Sequence, residues 1–279
     1  MNAKTEKKLK IALSVGLLLL GLACVALPFW YMFVTSLKPQ SYVFEFPPRL
    51  WPTTPSLDNY VEAVNRDSFG VYFLNSLVVA TATTASTVLV SAMLAYAFAR
   101  FKFPGRNVLF YLLLLGMMIP PVMLIIPQFL VATSLGLREK LIGLVVVYVT
   151  MNLSMQTFLL RGFFANIPRD LEEAALIDGA SPWQIFTRII LPLSKPGLAT
   201  VTIFTFLYSW DEFPWANVAI KEATKRTLPI AIALFQSQHL TRWGLVFAAS
   251  IIALTPVVIV FLVFQKYFVQ GISTTGMKG

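Results

Sequence analysis

Charge, cysteine and histidine are all scarce in this chain. Only 13% of its 279 residues are charged, about half of the roughly 25% found in ordinary soluble domains. With 57% hydrophobic residues, a soluble globule would lack the polar surface to cover its apolar material. Intrinsic disorder is excluded on the same ground, because it requires low hydrophobicity. The single cysteine, Cys24, has no partner, so a disulfide-stapled secreted domain is excluded. The single histidine, His239, lies far from Cys24, and the two supply no shared metal-ligand set. The chain also lacks a G-x-x-x-x-G-K-[ST] phosphate loop. Its nearest approach, Gly271 to Gly276, continues into Met277, so no bound ATP or other cofactor is expected. The class that remains is a polytopic membrane protein.

What the chain does have is long apolar runs. A helix crossing a roughly 30 Å hydrocarbon core needs about 20 apolar residues. Charge-free runs cover 11–37, 68–99, 107–137, 141–160, 196–210 and 243–265. The fifth reaches spanning length if Asp211 and Glu212 sit at its far end. None alternates as barrel strands would. The expected fold is therefore all-α, with six transmembrane helices. The first run follows a basic segment, 1–10, as a signal peptide would. It is too long for that, however, and ends on Pro28, Phe29 and Trp30 rather than on small residues, so it is read as a retained helix.

The distribution of charge sets the orientation. With 1–10 inside, the inner segments carry thirteen of the 22 basic residues and five acids, and the outer segments nine basic residues and eight acids. The short inner segment with Arg100, Lys102 and Arg106 has no acid at all. Excess Lys and Arg on cytoplasmic loops is the topology rule, and it accounts for the net charge of +9 without nucleic acid. Both termini are expected inside, with 269–279 as a cytoplasmic tail. The outer segment 38–67 is rich in proline and aromatics, which suits a stiff loop at the membrane interface. A further outer stretch carries a predicted short helix over 229–240.

The inner segment 161–196, between the fourth and fifth helices, is long and has strong local signals. Pro168 is suited to a first helical position. Asp170, Glu172 and Glu173 then fall where the helix dipole favours anions. Leu171, Ala174 and Ala175 share a stripe, and Gly179 can stop the helix in the left-handed conformation. Ser181, Pro182 and Gln184 spell a capping box for a second helix, which Pro192 is expected to end. Connectors that lie on lipid are usually basic. This one is acidic and small-residue-rich, which favours docking to a partner.

The letters themselves, Glu173-Ala174-Ala175, Asp178-Gly179-Ala180, Ile189 and Leu191-Pro192, resemble the EAA loop of permease subunits of binding-protein-dependent ABC importers. The segments Tyr96–Arg100, Phe103-Pro104-Gly105, Trp210–Phe213 and the tail ending Met277-Lys278-Gly279 resemble the carbohydrate-uptake group, in particular the smaller maltose-transporter permease. That family often has Asn where Asp211 stands. The resemblance implies a type I importer permease domain over 68–268 in a bacterial or archaeal inner membrane. It implies as partners a second permease, two ATP-binding subunits that hold ATP and Mg, and an external solute-binding protein. It assigns ATPase coupling to Leu171, Glu172, Glu173, Ala174, Ala175, Asp178, Gly179, Ala180, Leu191 and Pro192, with Glu173 making the polar contacts.

The residues Asn75, Asn152, Gln156, Trp210, Asp211 and Glu212 are candidates for the pore or substrate path. The first three could equally bind helices to one another. Glu212 reads better as a solvated interface residue, and Trp210 as an interface aromatic. A sugar is the expected solute; glycerol phosphodiesters, polyols or glycosylated compatible solutes are alternatives. An ion-coupled carrier would need ionisable residues within several spans, and an intramembrane enzyme a cluster of His, Asp or Glu there. The apolar runs provide neither.

Overall fold

The computed structural model describes residues 3–39, 49, 51–66, 68–235 and 241–275, with side chains from residue 7 to residue 267. Among these, the regular structure is entirely helical. Two compact units are distinguished. One comprises Met1–Phe69 and Ile232–Ala253, the other Gly70–Ala231 and Leu254–Gly279.

The first unit holds α1 (Ala3–Ser36) and α2 (Asp58–Asn65), together with the start of α13 (Trp243–Thr275). Most of α1 buries nothing within this chain, which an all-round apolar helix can sustain only in lipid or against another protein. Its last turn does pack: Val34, Thr35 and Ser36 are buried. Asn59 on α2 donates to the carbonyls of Ser36 and Lys38 at 2.9 and 2.8 Å, pinning the short helix to the end of the long one. Glu62 pairs with Arg66 and Arg242. The stretch expected as a proline-rich loop thus contains a helix; Tyr42, Phe44 and Phe46 lie outside the described residues.

The second unit carries α3 (Phe69–Arg100), α4 (Arg106–Leu115), α5 (Ile125–Ser134), α6 (Leu141–Ala165) and α7 (Asp170–Ile177). It continues with α8 (Pro182–Ile185), α9 (Leu191–Leu193), α10 (Lys195–Asp211), α11 (Pro214–Ala219) and α12 (Leu228–Leu234). On α3, Thr83, Thr87 and Ser91 recur at every fourth position and are buried, small enough to let neighbouring helices approach closely. The predicted helix over 229–240 is α12, which starts one residue earlier; residues 236–240, His239 among them, are outside the described set.

Among the described residues, four helices are long and apolar enough to cross a membrane, and up to six if two bent pairs each count as one span. The run 107–137 is one of these pairs rather than a straight span. Its halves, Arg106–Met118 and Pro121–Ser134, meet at 97°. The cause is Pro120-Pro121: Ile119, ahead of a proline, is pushed into the extended region at ψ 121, and two consecutive residues lack the N–H a helix requires. In the second pair α10 has only 17 residues, a rise of about 25 Å. It meets the expectation made for it, because Asp211 is its last helical residue and Glu212 stands just beyond.

Candidate functional site: the inner loop and an outer cavity

The loop expected on the inner side begins where α6 ends. α7 starts at Asp170, two residues after Pro168, so the proline precedes the helix instead of occupying its first position. Gly179 ends α7 as expected, with φ +81. The N–H of Ala180 reaches the carbonyl of Ala175 at 2.9 Å, and that of Gly179 the carbonyl of Leu176 at 3.0 Å. This pair of bonds is the Schellman arrangement, and it needs a left-handed residue between α7 and α8. Ser181 then caps α8. Its hydroxyl accepts from the N–H of Gln184, while the Gln184 side chain accepts from the N–H of Ser181 at 2.7 Å. The capping box read from three letters is present in full.

The second helix ends one residue past Pro192, at Leu193, and the chain turns by 79° into α10. Phe186–Ile190 form a π turn, and the helix continues through Leu191–Leu193. A widened turn just ahead of a proline accommodates the missing N–H.

The loop has two faces. Leu171, Glu173, Ala174, Ile177 and Asp178 are exposed, Ile177 at 87%. Ala175 and Ala180 lie against an apolar cluster built from Ala92, Ala95 and Tyr96 of α3, Leu160 and Phe164 of α6, Ile185, Phe186 and Ile190 of the loop, and Val201 of α10. Leu191 packs partly into the same cluster, whereas Pro192 is exposed. Glu172 faces inward too. Its carboxylate sits 2.6 Å from Nε of Arg100, the last residue of α3, with side-chain exposures of 13% and 6%. Arg100 also donates to the carbonyl of Ile167 at 2.7 Å. Arg100 was legible only as a topology charge; its partner is distant in sequence and no spacing rule connects them.

The pore candidates divide. Asn152 and Gln156 are buried on α6, and Asn152 donates to the carbonyl of Tyr148 one turn back. Asn75 donates to the carbonyls of Thr224 and Arg226, both at 3.0 Å, and so holds a loop expected on the outer side. Trp210 is buried, stacked on Phe206 and edge-on to Phe73, which makes it a core residue rather than an interface aromatic. Asp211 and Glu212 line a cavity of about 400 Å³ with Tyr208, Met151, Pro121 and Trp215. Glu212 is not simply solvated. It accepts from the hydroxyl of Tyr148 and from the N–H groups of Trp215 and Ala216, at 2.7 and 3.0 Å for the last two. In doing so it satisfies the first donors of α11. Glu139, which no sequence motif marks, does the same for Lys221 and Glu222. In the same outer loop the Glu222 carboxyl is held below the usual range by hydrogen bonds from Lys225 and Thr224.

Residues 87–274 match the family described as the binding-protein-dependent transport system inner membrane component. The chain belongs to this family. Among curated members, it is 36% identical over 274 residues to the trehalose/maltose transport system permease protein MalG of Thermococcus litoralis, covering 97% of each chain. It is 36% identical over 255 residues to the trehalose transport system permease protein SugB of Mycobacterium tuberculosis, covering 91% of this chain and 92% of that one. A solved bacterial ABC transporter involved in import of the acidic polysaccharide alginate superposes with a TM-score of 0.81 at 25% identity, covering 96% of this chain and 99% of its counterpart. The protein is thus a permease subunit of an ABC importer, with a type I fold. Within this fold, the two-faced inner loop carries Glu173-Ala174-Ala175, the letters that resemble the EAA motif.

Proposed function

We propose that this chain forms half of a heterodimeric pore for ATP-driven uptake of a sugar, with a second permease as the other half. Two ATP-binding subunits, carrying ATP and Mg, dock on the exposed face of α7 from the cytoplasm. An external binding protein delivers the solute from the opposite side. The observation that carries this reading is the exposure of Leu171, Glu173, Ala174 and Ile177 on a helix whose other face is fixed to the bundle. Exposed apolar area beside a carboxylate, with alanine permitting close approach, suits a protein groove better than water.

The sugar reading draws on the substrates for which the relatives are named and on the outer cavity. Aromatic and carboxylate groups are what a polyhydroxylated ring requires: faces to stack on and acceptors for its hydroxyls. Among the described residues, no lysine or arginine lines that cavity, which argues against anionic solutes such as glycerol phosphodiesters at this position. The deciding experiment reconstitutes the chain with its partner permease, ATPase and binding protein in proteoliposomes. Uptake of a neutral oligosaccharide should require both ATP and the binding protein. Uptake by the purified chain alone, driven by an ion gradient, would overturn the assignment.

A further inference from the structure

α7 is thinly attached. None of its residues is fully buried, and its inward contacts are Ala175 against the apolar cluster and Glu172 against Arg100. The neighbouring α8 and π turn, by contrast, sink Ile185, Phe186 and Ile190 into that cluster. The apolar socket therefore fixes the second half of the loop, and the ion pair fixes the first half.

Two nearly buried charges are an odd choice for simple adhesion. Desolvation offsets most of their attraction, and apolar residues of similar size hold as well or better. What an ion pair adds is geometry. Apolar contacts tolerate sliding, whereas pulling this pair apart from 2.6 Å would leave a nearly buried charge without its counter-charge, so the two groups stay together. Here the paired charges belong to the last residue of α3 and the first turn of α7. The same guanidinium holds the carbonyl of Ile167, at the entrance to the loop. Both ends of the segment that leads into α7 are thus tied to one side chain of one long helix.

We infer that Arg100 and Glu172 form a positioning pair that makes α7 and α3 move together, so that a displacement imposed on α7 by the ATPase is delivered to a membrane-spanning helix. Glu172 on this account acts within the chain, while Glu173 next to it faces the partner. The inference rests on α7 being the ATPase dock.

The test uses the complete reconstituted importer and compares ATP hydrolysed per sugar transported. Arg100→Gln and Glu172→Gln should assemble and hydrolyse ATP, but the ATP hydrolysed per sugar should rise by roughly three- to tenfold. The exchange Arg100→Glu with Glu172→Arg should restore most of the ratio. Its recovery stays incomplete, because each charge then opposes its own helix dipole. Arg100→Lys keeps the charge but loses the fork that also reaches Ile167, and should fall between wild type and Arg100→Gln. If the glutamine variants fail to assemble, the exchange and the lysine variant still read the ratio. A wild-type ratio in Arg100→Gln or Arg100→Lys, or an exchange variant as uncoupled as the single variants, overturns the pair's role. Failure of the dock itself looks different: wild-type complexes would then show no binding-protein-stimulated hydrolysis at all.

Discussion

The two ends of the larger unit are held together by different chemistry. At the outer end, side chains reach for loop backbone. Glu212 takes two N–H groups of α11, Glu139 those of Lys221 and Glu222, Asn75 donates to two carbonyls, and Ser76 accepts from the N–H of Leu228. At the inner end, the loop is shaped by its own turn and cap and, among the described residues, is joined to the helices mainly by an apolar socket, one ion pair and a single bond from Arg100 to the Ile167 carbonyl. Backbone bonds fix a loop's form locally. A compact helical element with few anchors can instead be pushed as a body and transmit the push. On the proposed coupling, the outer end keeps its shape and the inner end is moved.

Substitutions at each end should separate these roles. The largest effect is expected at the outer end of α6, from Gly143→Ala. The new methyl would lie 2.0 Å from the carbonyl oxygen of Leu137, and main chain must shift to admit it. A loss of about 3 kcal/mol or more is expected, at the upper end for overpacking, read as poor yield of monodisperse complex or a sharp drop in thermal midpoint. Glu212→Ala comes next. It strands the first donors of α11 and the Tyr148 hydroxyl, at a cost of about 1–3 kcal/mol, with basal ATP hydrolysis preserved in the complexes that fold. A loss of basal hydrolysis in those folded complexes would erase the division between the two ends.

At the inner end, Gly179→Ala forces a side chain into φ +81, costing about 1–2 kcal/mol. Its signature should be reduced binding-protein-stimulated hydrolysis with little change in thermal midpoint, since the turn joins exposed helices. The smallest effect is expected from Ser181→Ala. It removes one half of the capping box and should cost about 1 kcal/mol, visible as faster amide exchange in α8.

Much of the inner loop was legible because its signals are local. A left-handed glycine and a Ser-x-x-Gln box act within a few residues, and both appear where the letters place them, whereas Pro168 precedes α7 instead of opening it. The helix runs one residue past Pro192 because a π turn upstream accommodates the missing N–H. The run 107–137 is legible as an apolar span by length and composition, but its 97° bend is not, because Pro120-Pro121 decides direction. Arg100–Glu172 and Tyr148–Glu212 were invisible for a different reason. They join residues far apart in the chain, and only the packing of α3, α6 and α10 brings them together. Glu212, read as a solvated interface acid, is instead committed to three donors.

The central claim is that one face of α7 belongs to the ATPase and the other to this chain. Site-directed cross-linking tests it most directly. Cys24 lies exposed on α1 and is first replaced by serine. Single cysteines are then placed at Ala174, which is exposed, and at Ala175, its neighbour packed on the apolar cluster. In the assembled importer, Ala174→Cys should cross-link to a cysteine in the groove of the ATPase subunit and Ala175→Cys should not. Equal cross-linking from both positions, or from Ala175→Cys alone, would contradict the account.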